Sequence, residues 1–211
     1  MSVKIQKIGP AEIEAESFRI ISKEMGPHDF NNQVFTVVQR VIHATGDFSF
    51  AENLCFHDQA INRAIEVIKA GKNILTDVNM TASGISKNIL AEFGGTVQCL
   101  IADKTVAELA GQRGKTRSEI AIEQGIGADV GIVAIGNAPT ALLKAMDCLD
   151  DMTAEQRPLL IGVPVGFVNA AESKAMLATG KYPFITTLGR KGGSPVAAAI
   201  VNALLRIARS K

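Results

Sequence analysis

Aromatic side chains are scarce in this chain, at 5% of 211 residues, and so are cysteine and histidine, with three of each. The cysteines, Cys55, Cys99 and Cys148, are odd in number and far apart. Neither a disulfide framework nor a zinc ligand set follows from that spacing, so a reducing compartment, the cytoplasm, is expected. Surplus charge is missing too: 22 Lys and Arg stand against 21 Asp and Glu. Such balance argues against a general nucleic-acid surface and leaves room only for local basic clusters. The opening "MSVKIQKIGP" lacks the apolar run of a secretion signal, and no uncharged stretch reaches membrane-spanning length. A cytoplasmic protein that engages neither nucleic acid nor membrane is the expectation.

What is abundant is small and aliphatic. Apolar residues make up 47% of a 22.3 kDa chain, enough to bury a substantial core in one domain spanning residues 1–211. The first seventy residues read as helices. Pro10 suits a first helical position, "AEIEAESFRIISKEM" follows, and Gly26-Pro27 ends it. A second helix is expected from Asp29 or Asn31, with Val34, Val37, Val38, Val41 and Ile42 on one face. A third, "HDQAINRAIEVIKA", ends at Gly71.

Beyond Gly71 short aliphatic runs alternate with helical patterns: "NILTDV", "TVQCLI", "DVGIVAI", "PLLIGV" and "PFITTL". Five near-continuous apolar runs separated by helices predict a parallel sheet covered on both faces. The expected fold is therefore α/β, three-layered and doubly wound, with a five-stranded, mainly parallel sheet behind an N-terminal helical segment. Ligands of such folds bind outside the carboxyl ends of the strands. Those ends read "DVNMT", "ADK", "GNAPT", "GVPVGFVN" and "TLGRKGG", rich in residues that allow close backbone approach and hydrogen bonding.

Two phosphate signatures fail. "GKT" at 114–116 lacks the required glycine, having Leu109 there, and follows a helix pattern. "GIGADVG" at 125–131 misses the dinucleotide spacing and precedes its strand. Cys55 and His57 have no second pair at a metal-binding spacing. No cofactor and no metal are expected.

His43 raises a different question. Gln33, Thr36, Arg40 and His43 fall at steps of three and four, forming a polar stripe opposite the valines. A histidine near a helix C-terminus is favoured as imidazolium and can serve as an acid near neutral pH. Arg40, one turn earlier, opposes that charge unless an anion occupies it. By chemistry alone His43 is either a proton donor or a solvated, capping histidine. Arg190 and Lys191, just before Gly192-Gly193 and a helix start at Ser194-Pro195, form an anion site or a solvated loop. Arg113, Lys115 and Arg117 read as surface, with Arg117 set apart if Thr116 caps the next helix.

These stretches together resemble the precorrin-8X methylmutases, including their cobalt-precorrin-8 counterparts. The resemblance is carried by "ESFRII" (16–21), "RVIHATGDFSF" (40–50), "ILTDVNMTASGIS" (74–86), "GKTRSEIAI" (114–122), "IVAIGNAPTALL" (132–143), "LLIGVPVGFVNAAESKAML" (159–177) and "ITTLGRKGGSPVAAAIVNAL" (185–204). It implies a flavodoxin-like homodimer with a site near the subunit interface. The implied reaction of vitamin B12 synthesis moves a methyl group from carbon 11 to carbon 12 of a tetrapyrrole-derived ring, giving hydrogenobyrinate or its cobalt form. It further implies His43 as the acid that protonates the ring, with Ser17, Arg40, Thr81, Arg117 and Ser118 binding substrate. Arg190 and Lys191 suit the carboxylates of that ring, and Met80, Ala82 and Val165 suit its face. A non-catalytic carrier that binds and passes on the product is the alternative.

Overall fold

The computed structural model describes Gly9 and residues 12–210, so Pro10 lies outside the described residues. Among the described residues the sheet has six strands: β1 (Leu54–Phe56), β2 (Asn73–Thr76), β3 (Val97–Gln98), β4 (Val130–Ile135), β5 (Leu159–Gly162) and β6 (Phe184–Thr187). Their order is β1-β6-β5-β4-β2-β3. Every neighbouring pair is parallel except β1 with β6, which are antiparallel. All five apolar runs of the sequence are strands, and their spatial order, second-first-third-fourth-fifth, is that of flavodoxin-like sheets. The sixth strand is a correction. "LCF" lies inside the segment read as helical, and three residues are too few to show a two-residue period. It forms because β6 presents an unpaired edge, which Cys55 meets opposite Thr186.

Among the described residues eleven helices surround the sheet: α1 (Ile13–Met25), α2 (Asn32–Thr45), α3 (Phe50–Asn53), α4 (Ala60–Lys69), α5 (Asn79–Gly84), α6 (Lys87–Glu92), α7 (Lys104–Arg113), α8 (Arg117–Gly125), α9 (Pro139–Asp150), α10 (Ala170–Ala178) and α11 (Ser194–Arg209). Successive strand residues point to opposite faces. Ile74, Ile132, Ile161 and Ile185 enter one core, with residues of α2, α4 and α11. Leu75, Val133, Leu160 and Phe184 enter the other, with residues of α9. Twelve of the sixteen residues of α11 are buried, including all five of its alanines. So wide a buried surface follows from its position, with the sheet on one side and α2 on the other. Helices α1 and α2 thereby form an additional layer outside α11.

Candidate active site

The last turn of α2 presents His43. Asn31 starts the helix, its side chain accepting from the amides of Gln33 and Val34. Gly46 ends it in a left-handed conformation (φ 66°) that glycine adopts without strain. Val37, Val38, Val41 and Ile42 bury one face against α11, roughly 1.5–3 kcal/mol per side chain. His43 lies outside that face and is exposed. Its Nδ1 is 2.8 Å from Ser17 Oγ on α1, and the edge of its ring meets Phe18 at 5.3 Å. When the Ser17 hydroxyl donates to Nδ1, or when the ring is charged, Nε2 carries a proton and is directed away from Ser17.

Beside it Arg40 stacks over Phe18 at 5.0 Å and donates from Nη1 to Glu14 Oε1 at 3.0 Å. The anion that an arginine so near His43 requires is thus present in the chain itself. Sequence reading missed Glu14, because only the packing of α1 on α2 brings residues 26 positions apart into contact. The Arg40 hydrogen bond holds the Glu14 carboxyl below its ordinary range. Arg40, His43, Gly84, Pro195, Ala198 and Asn202 line a cleft of about 250 Å³. Its floor is small by necessity: a Cβ on Gly84 would stand 2.7 Å from that of Ala198. Asn202 secures the wall, donating to the Gly84 carbonyl and accepting from the Ser86 amide, each at 2.8 Å. Larger cavities lie elsewhere. One of about 370 Å³ is lined by Arg63 and Arg157, whose guanidiniums are committed to backbone carbonyls.

The remaining residues singled out in the sequence surround this carboxyl edge without joining the His43 cluster directly. Thr81 is fully buried; its hydroxyl donates to Ser194 Oγ at 3.0 Å. Ser118 is buried and shares hydrogen bonds with the Thr116 and Thr140 hydroxyls. Arg117 lies within the Thr116–Glu119 capping box, directly after its N-cap, and is exposed. The Arg190 guanidinium covers the exposed Phe167 ring at 5.3 Å. Lys191 Nζ reaches Asp47 Oδ2 at 2.6 Å and Ser49 Oγ at 2.8 Å, tying its loop to the segment after α2. Of the apolar ring-face candidates, Met80 and Val165 are exposed, whereas Ala82 is turned into the core.

Two more residues organise this edge and escaped sequence reading. Asp77, buried after β2, accepts the amides of Gly136, Asn137 and Ala138 at 2.8–3.1 Å. Burial pushes its carboxyl up, and those amides oppose the shift. It occupies the point where the winding of the sheet reverses, with its own carboxylate on the amides leading into α9. Lys174 of α10 is wholly enclosed. It donates to Thr187 Oγ1 and to the carbonyl of Lys191, beneath the loop carrying Arg190. Burial lowers its ammonium to about 8. An unspecific "DV" and "ESK" in sequence offered no signal for either role.

The Precorrin-8X methylmutase family model matches residues 12–207. The cobalt-precorrin-8 methylmutase of Priestia megaterium is 44% identical over 205 residues, covering 96% of this chain and 90% of that protein. The precorrin-8X methylmutase of Pseudomonas aeruginosa is 38% identical over 195 residues, covering 91% and 93%. A solved structure of precorrin-8x methyl mutase from Thermus thermophilus aligns with a TM-score of 0.83 at 40% identity, over 94% of this chain and 98% of that one. A match that runs from the first residues of α1 to the last turn of α11 includes every element lining the His43 cleft, and the chain belongs to the precorrin-8X methylmutase family.

Proposed function

We propose that the chain is an isomerase of vitamin B12 synthesis acting on precorrin-8X or cobalt-precorrin-8, with His43 as general acid. In this reading the carbon 11–methyl bond breaks as the carbon 12–methyl bond forms, yielding hydrogenobyrinate or its cobalt form without change of mass. The substrate is a flat, largely apolar ring edged by carboxylates. Its rim requires cations and donors: Arg40, Arg117, Arg190 and Lys191 supply charge and Ser17 a hydroxyl, while the buried Thr81 and Ser118 shape the site through their hydrogen bonds to Ser194 and to Thr116 and Thr140. Protonation of the ring from Nε2 promotes migration, and a shaped cleft holds the migrating geometry. No electron or group is exchanged with another molecule. We further propose that the chain works as one cytoplasmic domain in a homodimer, the second subunit helping to enclose the ring.

The observation that carries the reading is family membership over residues 12–207 combined with the Ser17–His43 contact of 2.8 Å beside Arg40 in one cleft. The test is anaerobic incubation of the purified protein with precorrin-8X and, separately, cobalt-precorrin-8, following the visible spectrum and mass. Conversion to the hydrogenobyrinate-type spectrum at constant mass is expected, and the faster substrate identifies the natural ring. Binding without conversion of either ring would favour a carrier. In the same assay His43→Ala is expected to lower turnover by about 100-fold or more while ring binding persists; unchanged turnover would remove His43 as the acid.

A further inference from the structure

We infer that Glu14 is a built-in stand-in for a ligand carboxylate, seated on Arg40 and displaced when the anionic rim of the ring enters the His43 cleft. The inference rests on the function proposed above and identifies what must leave for the substrate to bind. The Arg40 side chain is only 12% exposed. One face is covered by Phe18, and Nη1 is taken by Glu14. Its Nε is buried and has no hydrogen-bond partner among the described residues. A guanidinium offers a two-point grip that suits a carboxylate. Glu14 uses one point, through a single oxygen, and leaves donors on a residue that lines the cleft.

Glu14 is also placed to move. Its side chain is 46% exposed, and an ion pair half in water is weakly held. Its Oε1 lies 3.8 Å from Arg206 Nη2 on α11. That second cation, itself half-exposed, can keep the carboxylate paired after it leaves Arg40. The exchange therefore replaces one carboxylate on Arg40 by another and strands no charge in the cleft. Until then Glu14 serves as the counter-ion that lets Arg40 and His43 stand one turn apart on the same helix face.

Hydrogenobyrinate, the product, is the probe. It is titrated into the wild-type protein, Glu14→Gln and Glu14→Ala, following the visible spectrum of the bound ring, with thermal midpoints confirming that each variant is folded. Removing the resident carboxylate is expected to tighten binding by about two- to fivefold in both variants, the contribution of a half-exposed ion pair converted to affinity. Two substitutions of different size at an exposed position guard against a folding defect in either one. Unchanged or weaker binding by both variants, beside normal wild-type binding, would overturn the inference and leave the proposed function standing. Failure of the wild-type protein to bind or convert any of the rings would overturn both.

Discussion

Among the described residues the Ser17 hydroxyl is the one hydrogen-bond partner of the His43 ring. A hydrogen bond of this kind is worth about 0.5–1.5 kcal/mol. Ser17→Ala is therefore expected to lower kcat/KM by about two- to tenfold, far less than His43→Ala, because orientation weakens while the acid remains. Steady-state kinetics on the two variants separates these roles. The Asp47–Lys191 link makes a different prediction. The hydrogen bond from Lys191, aided by Ser49, brings the Asp47 carboxyl down to about 2. Because this lies below its ordinary 3.8, the link contributes above that ordinary value and is lost as the pH falls through about 2. A carboxyl NMR titration is expected to place Asp47 near 2, and Lys191→Met to return it toward the ordinary range. Helical spacing alone placed Arg40 and His43 together on a polar stripe. Ser17 and Glu14 were not legible as their partners, nor Asp47 as that of Lys191, since each contact crosses between elements that only packing brings together.

Among the elements, α10 and the loop after β6 are joined through a buried ammonium. Lys174 holds the Lys191 carbonyl, and with it the segment that displays Arg190 and Lys191. Lys174→Met keeps much of the volume and loses that attachment, so KM is expected to rise severalfold with kcat largely retained. Equal KM in variant and wild type would detach Lys174 from substrate binding. Its titration has an unusual sign. Burial lowers the ammonium from 10.5 to about 8, so between those values the unfolded chain binds more protons than the folded one. Stability contributed by this group therefore rises from pH 8 toward 10.5. Thermal midpoints of wild type relative to Lys174→Met are expected to increase over that window. A second element-level constraint is the close crossing of α5 over α11 at Gly84 and Ala198. Gly84→Val is expected to separate the two helices, lower the melting temperature and slow turnover, all read from one purified variant.

For the whole molecule, the proposed homodimer has a candidate surface. Phe167 is 84% exposed and Val168 77%, with Met80, Met176 and Val165 also open to solvent. Exposed apolar side chains of this kind, with Arg190 over the Phe167 ring, are what an interface or a ring-binding face requires. Sedimentation at micromolar concentration is expected to return twice the chain mass of 22.3 kDa, and Phe167→Glu to shift the distribution toward the monomer. A monomeric wild-type protein would remove the second subunit from the proposed site. Among the described residues no helix is long and apolar enough to cross a membrane.

Read by itself, the sequence determined the alternation of strands and helices, the glycine- and proline-rich loops at the carboxyl edge of the sheet and the helix face that bears His43. Those features follow from local periodicity and from turn chemistry, which act over a few residues. Tertiary structure decided the rest. The strand at Leu54–Phe56 depends on the open edge of β6, and Thr81 and Ser118 became buried only when helices closed over them. Asp77 gained three amides from a loop about sixty positions away. Glu14 met Arg40 because two helices cross. Each of these is a contact between distant segments, chosen by burial and charge in the assembled core, and spacing along the chain carries no record of it.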